Sequence, residues 1–227
     1  MREIVLDTET TGLDPATGDR IVEIGAVELF NHLPTGQTYH QDLNPERAMP
    51  SEAFEVHGLG DDFLRDKPKF AGIAAGFLAF IADTRLVIHN ASFDLKFLNA
   101  ELTLAGHPQL PPGRAIDTVA MARKKYPGSP ASLDALCRRF GIDTSARTKH
   151  GALLDSEILA EVYLELIGGR QPDFGLSAAR QSTDQTSGDW RPGPRPAPLP
   201  ARLTAAEQAA HEAFTATLGD AVLWRNN

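Results

Sequence analysis

Hydrophobic and polar positions change period several times along the chain, and each change marks an element. Residues 3–9 carry the apolar run Ile4-Val5-Leu6 between polar ends, which predicts a first strand. Arg20 to Phe30 places Ile21, Val22, Ile24, Ala26, Val27 and Leu29 in a second strand. Gly36 to Leu43 is a third, so the chain opens as a strand meander. Ser51 to His57, following Pro50, predicts a short helix. From Pro68 to Ala82 the period becomes helical: Phe70, Ile73, Ala74, Phe77, Leu78 and Ile81 recur at three- and four-residue steps, with Pro68 in the first turn. Leu86-Val87-Ile88 reads as a short buried strand, and Ser92 to Leu104 as a helix capped by Ser92. Ala115 to Thr118 predicts a last edge strand. Helices follow at 119–125, 133–140 and about 152–167. Strands first, then strand–helix alternation, indicate an α/β domain with a mixed sheet.

The pattern stops at Gly168-Gly169. From there to residue 203 the chain is rich in Gly, Ser, Gln and Pro, ending in Pro192, Pro194, Pro196, Pro198 and Pro200. This stretch reads as a linker, flexible first and polyproline-like later, with a reach of about 35 Å r.m.s. as a coil. The expected organisation is therefore a domain at 1–168, a linker at 169–203 and a tail at 204–227. Order is expected to return at Thr204-Ala205-Ala206-Glu207, a capping-box pattern. Ala206, Ala210, Phe214 and Leu218 then recur every four residues, and Leu223-Trp224 follow. A lone helix of this length is marginal in water. Its apolar stripe predicts docking to another protein rather than packing back onto the domain.

Composition narrows the class. Hydrophobic residues make up 42% of the chain, enough for a core. No apolar run approaches the roughly 20 residues that span a bilayer, and the N-terminus has no signal-peptide pattern. Cys137 is the single cysteine, which excludes an intrachain disulfide and suits a reducing, cytoplasmic setting. Its place in a helical pattern reads as core filling. The net charge of −8 argues against a general nucleic-acid binder. Between Arg114 and His150, however, eight basic residues (Arg114, Arg123, Lys124, Lys125, Arg138, Arg139, Arg147, Lys149) face three acidic ones (Asp117, Asp134, Asp143). That local excess reads either as solvated helix faces or as a phosphate-facing rim.

The rim matters because of what lies beside it. Three separated segments carry four carboxylates and a histidine: Asp7-Thr8-Glu9-Thr10-Thr11-Gly12, His89-Asn90-Ala91-Ser92-Phe93-Asp94, and His150-Gly151-Ala152-Leu153-Leu154-Asp155. Asp7 and Glu9 are two apart in a strand, so both side chains leave one face while Leu6 and Thr8 leave the other. Two carboxylates on one face repel unless cations sit between them. Asp94, at a helix start, fits a metal ligand or a structural cap equally well. Asn90 orients a neighbour or a substrate, or shapes the turn. His150 and Asp155 are five apart, which places His150 in the loop before a helix and Asp155 one turn inside. An unperturbed histidine titrates near pH 6.5 and can take a proton from water, a contribution of roughly 10²–10⁴ in rate. Oxygen-only ligands suit Mg²⁺ or Mn²⁺ rather than zinc. A pair of such ions about 4 Å apart is the usual apparatus for in-line phosphodiester cleavage. The residues alone thus predict a two-metal nuclease, with Asp7, Glu9, Asp94 and Asp155 as ligands and His150 as base.

With these motifs the chain resembles the epsilon subunits of bacterial DNA polymerase III, proofreading 3′–5′ exonucleases of the DEDD class with a histidine. The resemblance is dense from residue 1 to about 168. It includes Glu52-Ala53-Phe54-Glu55-Val56-His57-Gly58, Ser132-Leu133-Asp134-Ala135-Leu136-Cys137 and Leu159-Ala160-Glu161-Val162-Tyr163. It implies a ribonuclease H-like fold, action on a frayed or single-stranded DNA 3′ end, and contacts to the terminal nucleotide from Glu52 and His57 besides the acids, joining those that the turns themselves open to Thr10, Thr11 and Asn90. It further implies that the tail, through Phe214, Leu218, Leu223 and Trp224, binds the polymerase alpha subunit, with a small theta-like subunit as a further candidate partner. Gln171-Pro172-Asp173-Phe174-Gly175-Leu176 is similar to peptides that dock on sliding clamps through the Gln171, Phe174 and Leu176 positions. The alternatives left by the sequence are a stand-alone exoribonuclease or repair exonuclease of the same fold, and a mainly structural polymerase-stabilising subunit. The motif set does not distinguish RNA from DNA.

Overall fold

The computed structural model describes residues 1–145, 147, 149–169 and 203–218. The chain divides into two units, Met1–Ser177 and Ala178–Asn227.

The first unit is built on a five-stranded sheet: β1 (Arg2–Thr10), β2 (Ile21–Phe30), β3 (Leu33–Asp42), β4 (Arg85–Ile88) and β5 (Ala115–Asp117), in the order β3-β2-β1-β4-β5. The meander β1–β2–β3 is antiparallel, while β4 and β5 continue the sheet in parallel beside β1. The predicted mixed sheet and the edge position of β5 are both present. Seven helices complete this unit among the described residues: α1 (Ser51–His57), α2 (Asp61–Leu64), α3 (Phe70–Ile81), α4 (Ala91–Leu104), α5 (Thr118–Lys125), α6 (Leu133–Phe140) and α7 (Ala152–Ile167).

Strand alternation sorts the core into two layers. Ile4, Leu6, Ile24, Ala26, Leu86 and Ile88 face α3 and α4, meeting Phe70, Phe77, Phe97 and Leu98. Val5, Val27 and Val87 face the other way, onto Leu136 and Cys137 of α6 and Ile158, Leu159 and Val162 of α7. Each fully buried side chain of this size contributes roughly 1.5–3 kcal/mol. Cys137 is core filling, as expected.

Two features fix α7 on the sheet. At its start, Gly25 of β2 stands directly opposite Asp7. A Cβ there would lie 2.1 Å from the backbone of Ala152 and Leu153. Glycine therefore lets the first turn of α7 lie against the strand. Ser156 Oγ donates to the Gly25 carbonyl at 2.9 Å, and the Ala152 N–H donates to Glu23 Oε2 at 3.1 Å, serving a helix end whose own cap residue, Gly151, offers no side chain. At the far end, Tyr163 donates its hydroxyl to the fully buried Glu3 at 2.7 Å. Lys125 Nζ donates to the carbonyls of Glu165 (2.8 Å) and Leu166 (2.9 Å), covering last-turn acceptors.

One expectation needs correction. The cap of α4 is Asn90, in the left-handed region at φ 66°, with Ser92 already inside the first turn. Asparagine tolerates that conformation better than most residues. Two residues of the basic stretch are committed within the fold. Arg114 donates to the carbonyls of Thr84 (2.8 Å), Ile81 (2.9 Å) and Ala82, and Lys125 is committed to α7 as described. No helix of the described residues is long and apolar enough to cross a membrane.

The second unit contains α8 (Ala205–Thr217). Its predicted capping box is formed: Thr204 Oγ1 accepts from the Glu207 N–H, and the Glu207 carboxylate accepts from the Thr204 N–H. Phe214 and Leu218 are 61% and 43% exposed. Leu223 and Trp224, like the segment 171–176, lie outside the described residues.

Candidate active site

The predicted residues converge at one end of the sheet. Asp7 and Glu9 sit near the end of β1, opposite Gly25 and Glu23 and so on the face that carries α7. β4 runs parallel to β1 and delivers the chain into the turn His89-Asn90 and then α4, whose first turn holds Asp94. The start of α7 brings Asp155 in from the third side: its N–H bonds the Gly151 carbonyl at 2.8 Å, placing it one turn inside the helix, with His150 in the loop ahead. Asp7, Glu9, Asp94, His150 and Asp155 together line a cavity of about 290 Å³.

Within it, Glu9, His150 and Asp155 bring one ligand atom each within 4.8 Å of one another. Asp94 is held by Thr8, which leaves β1 on the opposite face from Asp7, as strand alternation requires, and donates to Asp94 Oδ1 at 2.7 Å. Glu9, Asp94 and Asp155 are buried, whereas the His150 side chain is 48% exposed. A carboxylate set this dense and this dry resists ionisation. Burial, then the neighbouring Asp94, Glu9 and Asp155, push Asp7 well above the ordinary carboxylate range. Glu9 is raised to about 8 by burial and then by Asp155 and Glu23. Asp94 is raised to about 7, mainly by burial and against the Thr8 hydrogen bond. Oxygen donors that repel one another in a cleft fit divalent cations, which supply the missing positive charge.

That crowding has a measurable consequence. Glu9 and Asp94 bind protons in the folded chain at pH values where they have lost them in the unfolded chain. The native state then holds more protons than the unfolded one, and stability without metal falls as pH rises from the ordinary carboxylate range toward about 8. A bound cation must displace those protons, so its affinity rises over the same window. The increase in Tm produced by Mg²⁺ or Mn²⁺ over EDTA should therefore grow between about pH 6 and about pH 8. A flat increase over that window would contradict this account of the cleft.

The other sequence-predicted residues lie outside the cavity lining. Thr10 Oγ1 donates to the Gly12 carbonyl at 2.6 Å, and Thr11 Oγ1 accepts from the Arg20 N–H at 3.0 Å, so both hydroxyls shape the turn after β1. Asn90 Oδ1 accepts from Ser92 Oγ at 3.3 Å in the turn before α4. Glu52 is exposed in the first turn of α1. His57 ends α1, buried, with Nδ1 accepting from the Leu59 N–H at 3.0 Å, and burial holds its pKa below the ordinary histidine value. α1 nonetheless touches the loop that carries His150: the His150 N–H donates to the Val56 carbonyl at 3.3 Å, and Lys149 Nζ reaches the Phe54 carbonyl at 3.4 Å.

The cavity also contains residues to which sequence reasoning gave no place there: Thr8, His89, Phe93, Asp134 and above all Arg147. Arg147 figured only as one charge in a basic stretch. Its position three residues before His150 was a signal, but nothing in the sequence showed that its side chain turns inward.

The sequence profile of the exonuclease family matches residues 4–163. The DNA polymerase III subunit epsilon of Rickettsia felis is 56% identical over 179 residues, 78% of each chain. That of Escherichia coli K12 is 50% identical over 177 residues, 74% of this chain and 72% of its own. Among solved structures, exonuclease X in complex with 5′ overhanging duplex DNA superposes with a TM-score of 0.58 at 26% identity, covering 73% of this chain and 90% of that one. The nuclease domain of 3′hExo, a DEDDh family member bound to rAMP, superposes with a TM-score of 0.64 at 21% identity, covering 73% and 91%. The five-stranded mixed sheet with flanking helices is thus the ribonuclease H-like exonuclease fold.

Proposed function

The chain belongs to the exonuclease family and, within it, to the proofreading epsilon subunits of DNA polymerase III, and from that premise we propose how its residues remove a mismatched 3′-terminal nucleotide. The observation that carries the proposal is the meeting of Asp7, Glu9, Asp94, Asp155 and His150 in one cavity. Asp7, Glu9, Asp94 and Asp155 would together hold two divalent cations, Mg²⁺ or Mn²⁺. When bound, such ions supply a water nucleophile at neutral pH and stabilise charge on the attacking and leaving oxygens.

The protein's own part is positional and acid–base. Thr8 holds Asp94 in register with β1. Gly25, Glu23 and Ser156 hold the α7 turn that presents Asp155. His150, partly exposed on a loop next to Gly151, takes the proton of the attacking water. Thr10, Thr11, Glu52, His57 and Asn90 surround the terminal nucleotide. Selectivity for a mismatch then requires no reading of the base, since an unpaired end melts into the cleft at lower cost.

Attachment uses the rest of the chain. The exposed stripe of α8 that includes Phe214 and Leu218, continued by Leu223 and Trp224, docks on the polymerase alpha subunit. Gln171, Phe174 and Leu176 dock on the sliding clamp, and a small theta-like subunit is a further partner of the first unit. A linker of this length sustains an effective concentration on the order of mM. Alanine at Gln171, Phe174 and Leu176 together should abolish clamp binding, and truncation after residue 203 should abolish polymerase binding, each read by calorimetry. Undiminished binding would remove the corresponding contact.

The deciding experiment follows nucleotide release from 3′-labelled matched and mismatched primer–templates, in Mg²⁺ and in EDTA. Metal-dependent release of nucleoside 5′-monophosphates, faster from the mismatch and weak on an all-RNA strand, is expected. Release from RNA alone would favour an RNA-trimming enzyme, and no release would favour a stabilising subunit.

A further inference from the structure

Arg147 reaches into the acidic cavity with its side chain only 10% exposed. Its Nε and Nη2 donate to the two oxygens of Asp155, the second at 2.7 Å, as a bidentate fork. Nη1 donates to Asp134 of α6, at the mouth of the cavity, and Nη2 lies 2.7 Å from His150 Nδ1. Two consequences follow from the chemistry of a guanidinium, which donates and never accepts. Both carboxylate oxygens of Asp155 are already serving a cation. The shorter contact, Arg147 Nη2 to His150 Nδ1, makes Nδ1 an acceptor rather than a donor to Asp155 Oδ2 at 3.2 Å, so the ring carries its proton on Nε2 and its free electron pair is engaged. In this arrangement neither Asp155 nor His150 is free for the role assigned to it above.

We infer that Arg147 is an internal counter-cation that holds Asp155 and His150 in a resting arrangement and is exchanged for the incoming divalent ion, freeing both groups in one movement. The inference rests on the metal-site reading of the cavity. Asp134 makes the exchange economical. Its side chain is 55% exposed and bonds the guanidinium on the side away from Asp155, so it remains as acceptor when Asp155 lets go. Arg147 is a positioning residue by this account, because it acts through Asp155 and His150. The plainer view is a permanent strut that holds Asp155 ready for metal.

The two views predict opposite signs. Mn²⁺ titration of the full chain by calorimetry, on wild type, Arg147→Met and Arg147→Lys, separates them. Exchange predicts that Mn²⁺ binds about tenfold more tightly to Arg147→Met, equivalent to about 1.4 kcal/mol. It also predicts a lower Tm in EDTA and a larger Tm gain on adding Mn²⁺. Arg147→Lys keeps the charge but breaks the fork, and should bind Mn²⁺ about threefold more tightly. It decides the matter if the Met variant does not fold. Unchanged or weaker Mn²⁺ binding in the folded variants overturns the exchange and leaves a strut. Absence of Mn²⁺ binding by the wild type would instead remove the metal-site reading itself.

Discussion

Replacing His150 by alanine is expected to lower single-turnover cleavage of a mismatched primer end by roughly 10²–10⁴-fold while Mn²⁺ affinity stays within a few-fold of wild type. The reasoning is geometric. His150 projects from a loop into the cavity beside Asp155, with Nδ1 3.2 Å from Asp155 Oδ2, and remains about half exposed, where water and substrate can reach it. A hard ion prefers carboxylate oxygen to imidazole, which leaves the ring free to move a proton. The same geometry supplies the rival: Glu9, His150 and Asp155 stand close enough to share one ion. Parallel loss of Mn²⁺ affinity and of turnover in His150→Ala would make His150 a ligand and transfer the base role elsewhere.

The second large effect is expected at a residue that has no side chain to take part in the reaction. Gly25→Ala should lower stability by roughly 1–3 kcal/mol or more and turnover by about 10²-fold. The added methyl would stand 2.1 Å from the Ala152 carbonyl carbon and the Leu153 nitrogen, and the carbonyl oxygen follows at 2.3 Å. Backbone on both sides cannot rotate away as a side chain would, so the first turn of α7 must lift. That turn carries Asp155, and lifting it also strains the Ser156 and Glu23 bonds that fix the helix start. Chemical denaturation and primer cleavage on the same preparation check both parts. A variant with wild-type stability and rate would show that α7 can settle elsewhere without harm.

These two positions show what could and could not be seen in the sequence. The strands and longer helices were legible because hydrophobic period reports which face is buried. Ser51–His57, Leu133–Phe140 and Ala152–Ile167 have the predicted bounds. Asp61–Leu64 was missed because four residues are too few to display a period. The cap of α4 was misplaced because Ser92 matches the usual cap preference, while Asn90 occupies the cap position in an uncommon backbone conformation and makes no side-chain cap bond. The five polar residues of the site were legible for a different reason. Carboxylates at the ends of apolar strands and at helix starts have no bland use in such number. Gly25 and Arg147 were not legible, since their importance lies in what approaches them through space. A glycine in a strand does not announce the helix backbone above it, and an arginine in a loop does not announce that it turns toward an acid eight residues on.

The two ends of α7 carry different duties. Asp155 lies in the first turn, and Ile167 closes the last. Twelve residues at about 1.5 Å each separate Asp155 from Ile167, roughly 18 Å along the axis. The last turns are fastened by Lys125 to the carbonyls of Glu165 and Leu166 and by Tyr163 to Glu3. A pull on the chain beyond Ile167 would therefore be met at an anchored helix end remote from the carboxylate cavity, as a cable is clamped before it enters an instrument.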